Sequence, residues 1–343
     1  MLLLSFGAVF TSCGIKYESE INVCNWGEYI SDGTEDSLDV IKEFEKKYKI
    51  KVNYSTFDEN EKLYSIMKSG SVKYDVIVPS DYMVEKLINE NMLLKIDFNN
   101  IQNYKNISED FKNLSYDPTN EYSVPNFWGT IGIIYNKTKV EETPTSWGIL
   151  WDEKYSGQII MPNNSRDSFA IALKRLGIDT NTHNSEDLKK AYDELMKQKP
   201  LVQDYLMDKI FGKMENNDAA LGVYYAGDCM SMMENNPDLG FVLPQEGTNK
   251  FVDALCIPKG AQNKTGAEKF IDFMLDPEIS LANTEYVQYS TPNTETFKLL
   301  DSEVKENQLI YPSDDYLEKC YEFRNPPAEI YAEMEDLWMK VRK

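Results

Sequence analysis

An α/β fold in two lobes follows from three features of the sequence. These are its 343 residues, a βαβαβ alternation near the N-terminus, and a second strand–helix alternation after a long extended segment. A chain of this length exceeds the size at which one hydrophobic core usually divides. Hydrophobic residues make up 42% and charged residues 27%, which suits packed cores and excludes general disorder.

The first alternation opens at Ile21 to Cys24, a short apolar run that predicts a strand. From Ser37 to Tyr48 the residues Leu38, Ile41, Phe44 and Tyr48 recur at helical spacing. Ile50, Val52, Tyr54 and Thr56 then alternate as a strand. A second helical stretch carries Leu63, Ile66 and Met67 and breaks at Gly70, and Tyr74 to Val78 predicts a buried strand ending at Pro79. Strands separated by helices imply a parallel sheet with right-handed crossovers.

Ligands bind such sheets beyond the carboxyl ends of the strands. That rule selects Asn25-Trp26-Gly27-Glu28-Tyr29, Asp58 with Glu59, and Ser80-Asp81-Tyr82, all at one edge.

The extended segment from Tyr122 to Tyr135 is long enough to carry the chain into a second lobe. There Gln158 to Met161, Ala219 to Tyr225 and Leu239 to Leu243 predict strands, and Phe169 to Leu176 and Ser185 to Met196 predict helices. Phe251 to Ile257 reads as a strand returning to the first lobe, with a helix at Ala267 to Met274 behind it. Ile330 to Val341 is an amphipathic C-terminal helix.

Lys and Arg number 36 against 57 Asp and Glu, a net charge of −21, so nucleic acid and anionic lipid surfaces are repelled. Cationic ligands are the better match. The apolar run within residues 1–10 is too short to span a bilayer and suits a signal peptide. Small residues Thr11 and Ser12 precede Cys13, and this junction resembles the lipobox of bacterial lipoproteins, with Cys13 as the lipidated residue. Cys24, Cys229, Cys256 and Cys320 would permit three disulfide pairings. Cys24 and Cys256 lie in apolar strand-like runs and are read as buried thiols, while Cys229 and Cys320 stay open.

Catalytic signatures are sparse. His183 is the only histidine and lies in a polar loop, which removes the commonest general base and metal ligand. No phosphate-binding loop, nucleophile elbow or metal motif occurs, and no cofactor or metal is expected.

Carboxylates beside aromatics at strand ends are more informative: Trp26/Glu28/Tyr29, Asp167/Phe169, Tyr224/Tyr225/Asp228, and Phe251/Asp253, with Tyr289 before Ser-Thr-Pro-Asn. Such lining suits an alkyl diamine. Carboxylates hold its ammonium ends through charge-assisted hydrogen bonds of about 1.5–3 kcal/mol each, and aromatic faces hold its methylenes.

Asn25-Trp26-Gly27-Glu28-Tyr29 and Tyr74-Asp75-Val76-Ile77-Val78-Pro79-Ser80-Asp81-Tyr82 resemble motifs of the spermidine/putrescine-binding proteins of ABC transporters. So do Tyr122-Ser123-Val124-Pro125, Trp128-Gly129-Thr130, Thr145-Ser146-Trp147 and Tyr289-Ser290-Thr291-Pro292-Asn293, and the resemblance runs from about Asn22 to the C-terminus. It implies a two-lobed periplasmic-binding-protein fold of type II with the ligand in the interlobe cleft. By the same resemblance Trp26, Glu28 and Tyr29 form one wall, and Ser80 and Tyr82 come from the third strand. Asn164 and Asp167 fall where spermidine binders can place two carboxylates, Tyr225 and Phe251 where they can place tryptophans, Asp253 at the central carboxylate, and Tyr289 completes the box. Two departures stand out: Gly27 lacks a hydroxyl often found there, and Asn164 is neutral.

The expected organisation is a signal and anchor segment over 1–17, one lobe from 18–124 with 249–298, and another from 125–248 with 299–343. The hinge is expected near Pro125 and Lys250. The expected protein is a monomeric, non-enzymatic polyamine carrier that serves a permease and meets the membrane only through its lipid. Three other readings remain open: a sugar binder of the same fold, a ferric-ion binder using Tyr224 and Tyr225, and a glycosidase with an acidic pair.

Overall fold

The computed structural model describes residues 15–34 and 36–343, so the Cys13 anchor lies outside the described residues, as does the signal segment up to residue 14. Nine strands run through them: β1 (Ser19–Trp26), β2 (Ile50–Phe57), β3 (Val76–Ile77), β4 (Ser123–Asn136), β5 (Ile159–Pro162), β6 (Val202–Leu206), β7 (Leu221–Tyr225), β8 (Leu239–Val242) and β9 (Lys250–Cys256). The helices are α1 (Val40–Tyr48), α2 (Asn60–Ser69), α3 (Asp81–Asn89), α4 (Ser165–Arg175), α5 (Ser185–Gln198), α6 (Ile210–Glu215), α7 (Ala226–Asn235), α8 (Lys264–Met274), α9 (Pro277–Val287), α10 (Thr294–Leu299), α11 (Ser302–Glu306), α12 (Asp314–Leu317) and α13 (Ala328–Arg342).

The strands join in the order β2-β1-β3-β9-β4-β7-β5-β6, with β8 also paired to β4. β1 runs parallel to β2 and β3, as the alternation predicts. The sheet is nonetheless mixed, because β9 runs antiparallel to both β3 and β4. β5 is parallel to β6 and β7, while β4 is antiparallel to β7 and β8.

β4 belongs to both halves of the molecule. Its residues Ser123 to Thr130 pair with β9, and Ile131 to Tyr135 pair with β7. The sequence puts the crossing at Pro125; the structure puts a register shift there and changes pairing partner later, between Thr130 and Ile131. On β9 the change falls at Lys250, which pairs with Thr130.

Alternation along β1 sends Ile21 and Val23 into a core with Phe44, Phe270 and Phe273, and Cys24 into a second core with Ile77, Met83 and Leu87 on the other face. The first core includes an edge-to-face contact of Phe44 and Phe270 at 5.1 Å. Across the β4 crossing, Ile131, Ile133 and Tyr135 pack on one face and Ile134 on the other. A further cluster ties Phe169 of α4 and Leu195 of α5 to Trp338 of α13, which draws the C-terminal helix onto the second half. Tyr311 packs against cores of both halves.

Some elements escape the sequence reading. Gly70 ends α2 with a left-handed φ of 66°, as its position suggests. Ser80-Asp81-Tyr82, read as a turn, instead opens α3, with Ser80 at the N-cap position. β6 is half exposed and carries no clear alternation, which hides it from a periodicity argument. Cys24, Cys229 and Cys256 are buried free thiols and Cys320 is a half-buried one.

Candidate functional site

The carboxyl ends of β1, β2 and β3 open on one cavity of about 120 Å³ between the two halves of the sheet. Trp26, Gly27, Glu28 and Tyr29 continue β1 into its wall, Asp58, Glu59, Asn60 and Glu61 follow β2, and Ser80, Asp81 and Tyr82 follow β3. The opposite wall comes from the starts of α4 and α7, with Asn164 to Asp167 and Tyr224, Tyr225 and Asp228. β9 crosses the floor and contributes Phe251 and Asp253. All eleven residues assigned to the ligand by the resemblance line this cavity, whereas Asn25 and Phe169, also noted in the sequence, are buried outside it.

Glu28, Asp58, Glu59, Glu61, Asp81, Asp167, Asp208, Asp228 and Asp253 line the space, against one basic residue, Arg166. Such a cavity carries a strongly negative potential and attracts a cation. Five tyrosines are set against these carboxylates. Tyr29 Oη donates to Asp253 Oδ2 at 2.6 Å, Tyr225 to Asp167 Oδ2 at 3.0 Å, Tyr289 to Asp228 Oδ2 at 2.7 Å, Tyr224 to Asp208 Oδ1 at 2.8 Å, and Tyr82 to Glu61 Oε1 at 3.2 Å.

Burial pushes the carboxyl of Asp253 up to about 6 and that of Asp228 up to about 7, and it raises Asp167 as well. Asp81 rises to about 8 for the same reason, although Val252 N and Tyr82 N both donate to it. Burial holds the phenols of Tyr224 and Tyr225 well above their ordinary value. Both stand as donors to a neighbouring carboxylate, Tyr224 to Asp208 and Tyr225 to Asp167.

The rings pack edge to face. Tyr29 meets Tyr289 at 5.1 Å and Phe127 at 5.3 Å, Tyr225 meets Phe251 at 5.5 Å, and Trp26 tilts on Phe57 at 4.3 Å. Gly227, in the first turn of α7, makes room for one of them: a Cβ there would lie 2.5 Å from Tyr289 Cδ2. Asp253 is buried, and its Oδ1 has no hydrogen-bond partner among the described residues; the same holds for Trp26 Nε1.

Asn164 is the N-cap of α4. Its Oδ1 accepts from Asp167 N at 2.8 Å and its Nδ2 donates to Asp167 Oδ2 at 2.7 Å, so the two residues form one unit. Beside them the Arg166 guanidinium stacks 3.8 Å from the Tyr82 ring centroid, crossing from one wall to the other.

Sequence reasoning left Asp208, Arg166 and Phe323 out of the site and noted Asp81 and Asp228 without assigning either a role. Asp228 had a usable signal, since it follows β7 just as Glu28 follows β1. Asp208 follows β6, the strand that periodicity does not reveal.

A sequence profile described as bacterial extracellular solute-binding protein matches residues 71–320, and one described as hypothetical lipoprotein (MG045 family) matches residues 1–117. The spermidine/putrescine-binding periplasmic protein of Escherichia coli (strain K12) is 32% identical over 345 residues, covering 99% of this chain and 97% of its own. Spermidine/putrescine-binding periplasmic protein 1 of Haemophilus influenzae is 35% identical over 299 residues, covering 86% of this chain and 81% of its own. Among solved structures, a putative spermidine/putrescine ABC transporter protein from Listeria monocytogenes has a TM-score of 0.89 at 35% identity, covering 94% of this chain and 98% of that one. A spermidine/putrescine ABC transporter substrate-binding protein from Streptococcus pneumoniae has a TM-score of 0.81 at 35% identity, with 95% and 100% covered.

Proposed function

The chain belongs to the bacterial extracellular solute-binding proteins, and we propose that it captures a polyamine, putrescine or spermidine, in its interlobe cleft for an ABC importer. Members of this family are transport components rather than enzymes. The fold is the two-lobed type II form of periplasmic binding proteins. One observation supports the ligand class above the others: a buried aspartate, Asp253, has one oxygen held by Tyr29 and the other without a hydrogen-bond partner among the described residues, inside an aromatic-walled, acid-rich cavity. An ammonium group is the complement of that oxygen, and the rings complement methylenes.

In this reading Trp26, Tyr29, Tyr82, Tyr225, Phe251 and Tyr289 box the chain, Asp253, Asp167 and Glu28 take the nitrogens, and Ser80 and Asn164 supply polar contacts. The lobes divide as 18–124 with 249–298 and 125–248 with 299–343, the crossings through β4 and β9 form the hinge, and closure around the ligand is the working motion. The protein acts as a monomer, anchored outside the cell membrane through lipid on Cys13; the match of residues 1–117 to a lipoprotein profile supports that anchor.

Calorimetric titration with putrescine, spermidine and spermine tests the reading. Micromolar binding needs only about 8 kcal/mol net, within reach of two or three charge-assisted contacts and a stacked chain. Absence of binding to all three amines, with stabilisation by an uncharged oligosaccharide, would overturn it in favour of a sugar carrier.

A further inference from the structure

We infer that one end of the cleft, at Asn249 and Arg166, is a subsite for an uncharged amide, so that the protein accepts polyamines carrying one acylated nitrogen. The inference rests on the polyamine reading and deepens it by naming the form of the ligand. Asn249, Phe251 and Asp253 stand at alternate positions leading into and along β9, and all three line the cavity. From Asn249 to Asp253 is about 13 Å of extended chain at ~3.3 Å per residue. The two ends of a long ligand therefore meet different side chains.

Asn249 is 4% exposed, and its Oδ1 has no hydrogen-bond partner among the described residues. Arg166 is 9% exposed and lines the same cavity, and its Nε has none either. Both flank the segment that follows α12. Asn249 bridges to Tyr321, Lys250 N donates to Tyr321 O at 2.8 Å, and Arg166 Nη1 donates to Arg324 O at 3.1 Å. Phe323 lies between those anchors and lines the cavity, its ring centroid 5.7 Å from the Arg166 guanidinium carbon. This end thus presents a buried acceptor, a buried donor and an apolar ring.

A chain made only of ammonium groups offers donors alone. It can satisfy Asn249 Oδ1 but not the Arg166 Nε–H, and the guanidinium repels its charge. A buried donor left without an acceptor is costly. A secondary amide carries one N–H and one C=O, complements both atoms, and brings no charge beside Arg166. A short acyl group adds an apolar tail for Phe323. Asp253 Oδ1, the other buried acceptor of the cavity with no partner among the described residues, remains for a free ammonium.

Calorimetric titration of the full chain with spermidine and its two terminally monoacetylated isomers tests the subsite. At least one isomer should bind wild type no more than about threefold more weakly than spermidine, although it carries one charge fewer. Asn249→Leu removes the acceptor at similar volume and should lower that isomer's affinity relative to spermidine's by about tenfold. Should the leucine variant not fold, Asn249→Asp moves the ratio the same way, because a carboxylate either favours the free ammonium or pairs with Arg166. Wild type that holds spermidine but both isomers more than about threefold more weakly overturns the inference, as does a ratio that the variants leave unmoved. Wild type that binds none of the three overturns the polyamine reading itself, and the amide subsite with it.

Discussion

Tyr29 and Asp253 lie 224 residues apart in sequence and are joined by a 2.6 Å hydrogen bond from the phenol to Oδ2, while the buried Oδ1 has no hydrogen-bond partner among the described residues. A carboxylate held in this way has one oxygen oriented by the protein and one reserved for a ligand. Asp253→Asn preserves the acceptor for Tyr29 and removes the charge. It should weaken polyamine binding by at least about tenfold, roughly 1.4 kcal/mol, while the fold is retained. Unchanged affinity by calorimetry would remove Asp253 from the ligand.

The raised carboxyls make binding depend on pH. Asp253 stands at about 6 and Asp228 at about 7, both because burial disfavours the charged form. A polyammonium ligand needs them ionised, so affinity should fall by at least about tenfold between pH 8 and pH 5. The stability of the unliganded protein moves the other way. A carboxyl raised on folding contributes stability that is fully present below its unfolded value near 4 and is lost as pH rises through 6 to 7. Asp253→Asn should therefore gain more melting temperature relative to wild type at pH 8 than at pH 5. A pH-independent gap between the two proteins would sink the account.

Gly227→Ala tests how tightly the aromatic box is built. The added methyl would meet Tyr289 Cδ2 at 2.5 Å, so the ring, which donates to Asp228, must shift. Overpacking of this kind costs about 1–3 kcal/mol, visible in chemical denaturation, and polyamine binding should weaken with it. If stability and binding are both unchanged, the ring has more room than this geometry gives it.

Cys13→Ser should move the protein from the membrane fraction to the medium or to an unprocessed precursor. A lipidated cysteine with a diacylglyceryl group supplies more than one chain, which stable anchoring requires. A variant that remains processed and membrane-bound would refute the anchor.

Much of the cleft was legible because β1 and β3 are short apolar runs and β2 alternates, each separated by a helical stretch, and a sheet of that kind presents its ligand at the strand ends. Trp26, Glu28, Tyr29, Ser80 and Tyr82 could be named from that rule and from the motif resemblance together. What escaped was set by elements with weak patterns. β6 is half exposed, so Asp208 had no strand end to mark it. Asp81 was read in a turn, yet it opens α3 and accepts from Val252 N on β9, a contact across 171 residues that no local pattern encodes. Arg166 lies between two residues assigned to the site, but its stacking on Tyr82 depends on the two lobes meeting.

The choice between a diamine and a triamine turns on the Asn164–Asp167 unit. In the structure the Asn164 amide donates to Asp167 Oδ2, and Tyr225 donates to the same oxygen, so Asp167 is already compensated by two neutral donors. With Glu28 and Asp253 available for two ends and Asn164 uncharged, putrescine should be held at least as well as spermidine. Asn164→Asp keeps an oxygen to cap α4 through Asp167 N but replaces the donor to Asp167 Oδ2 with a second carboxylate. Two carboxylates side by side disfavour each other's ionisation, and a third ammonium between them relieves that repulsion, whereas a dication satisfied elsewhere gains little. The variant should therefore shift the ratio of affinities toward spermidine by about tenfold, roughly 1.4 kcal/mol, in paired titrations. If wild type instead prefers spermidine by that margin and the ratio does not move in Asn164→Asp, residues elsewhere in the cleft set the choice.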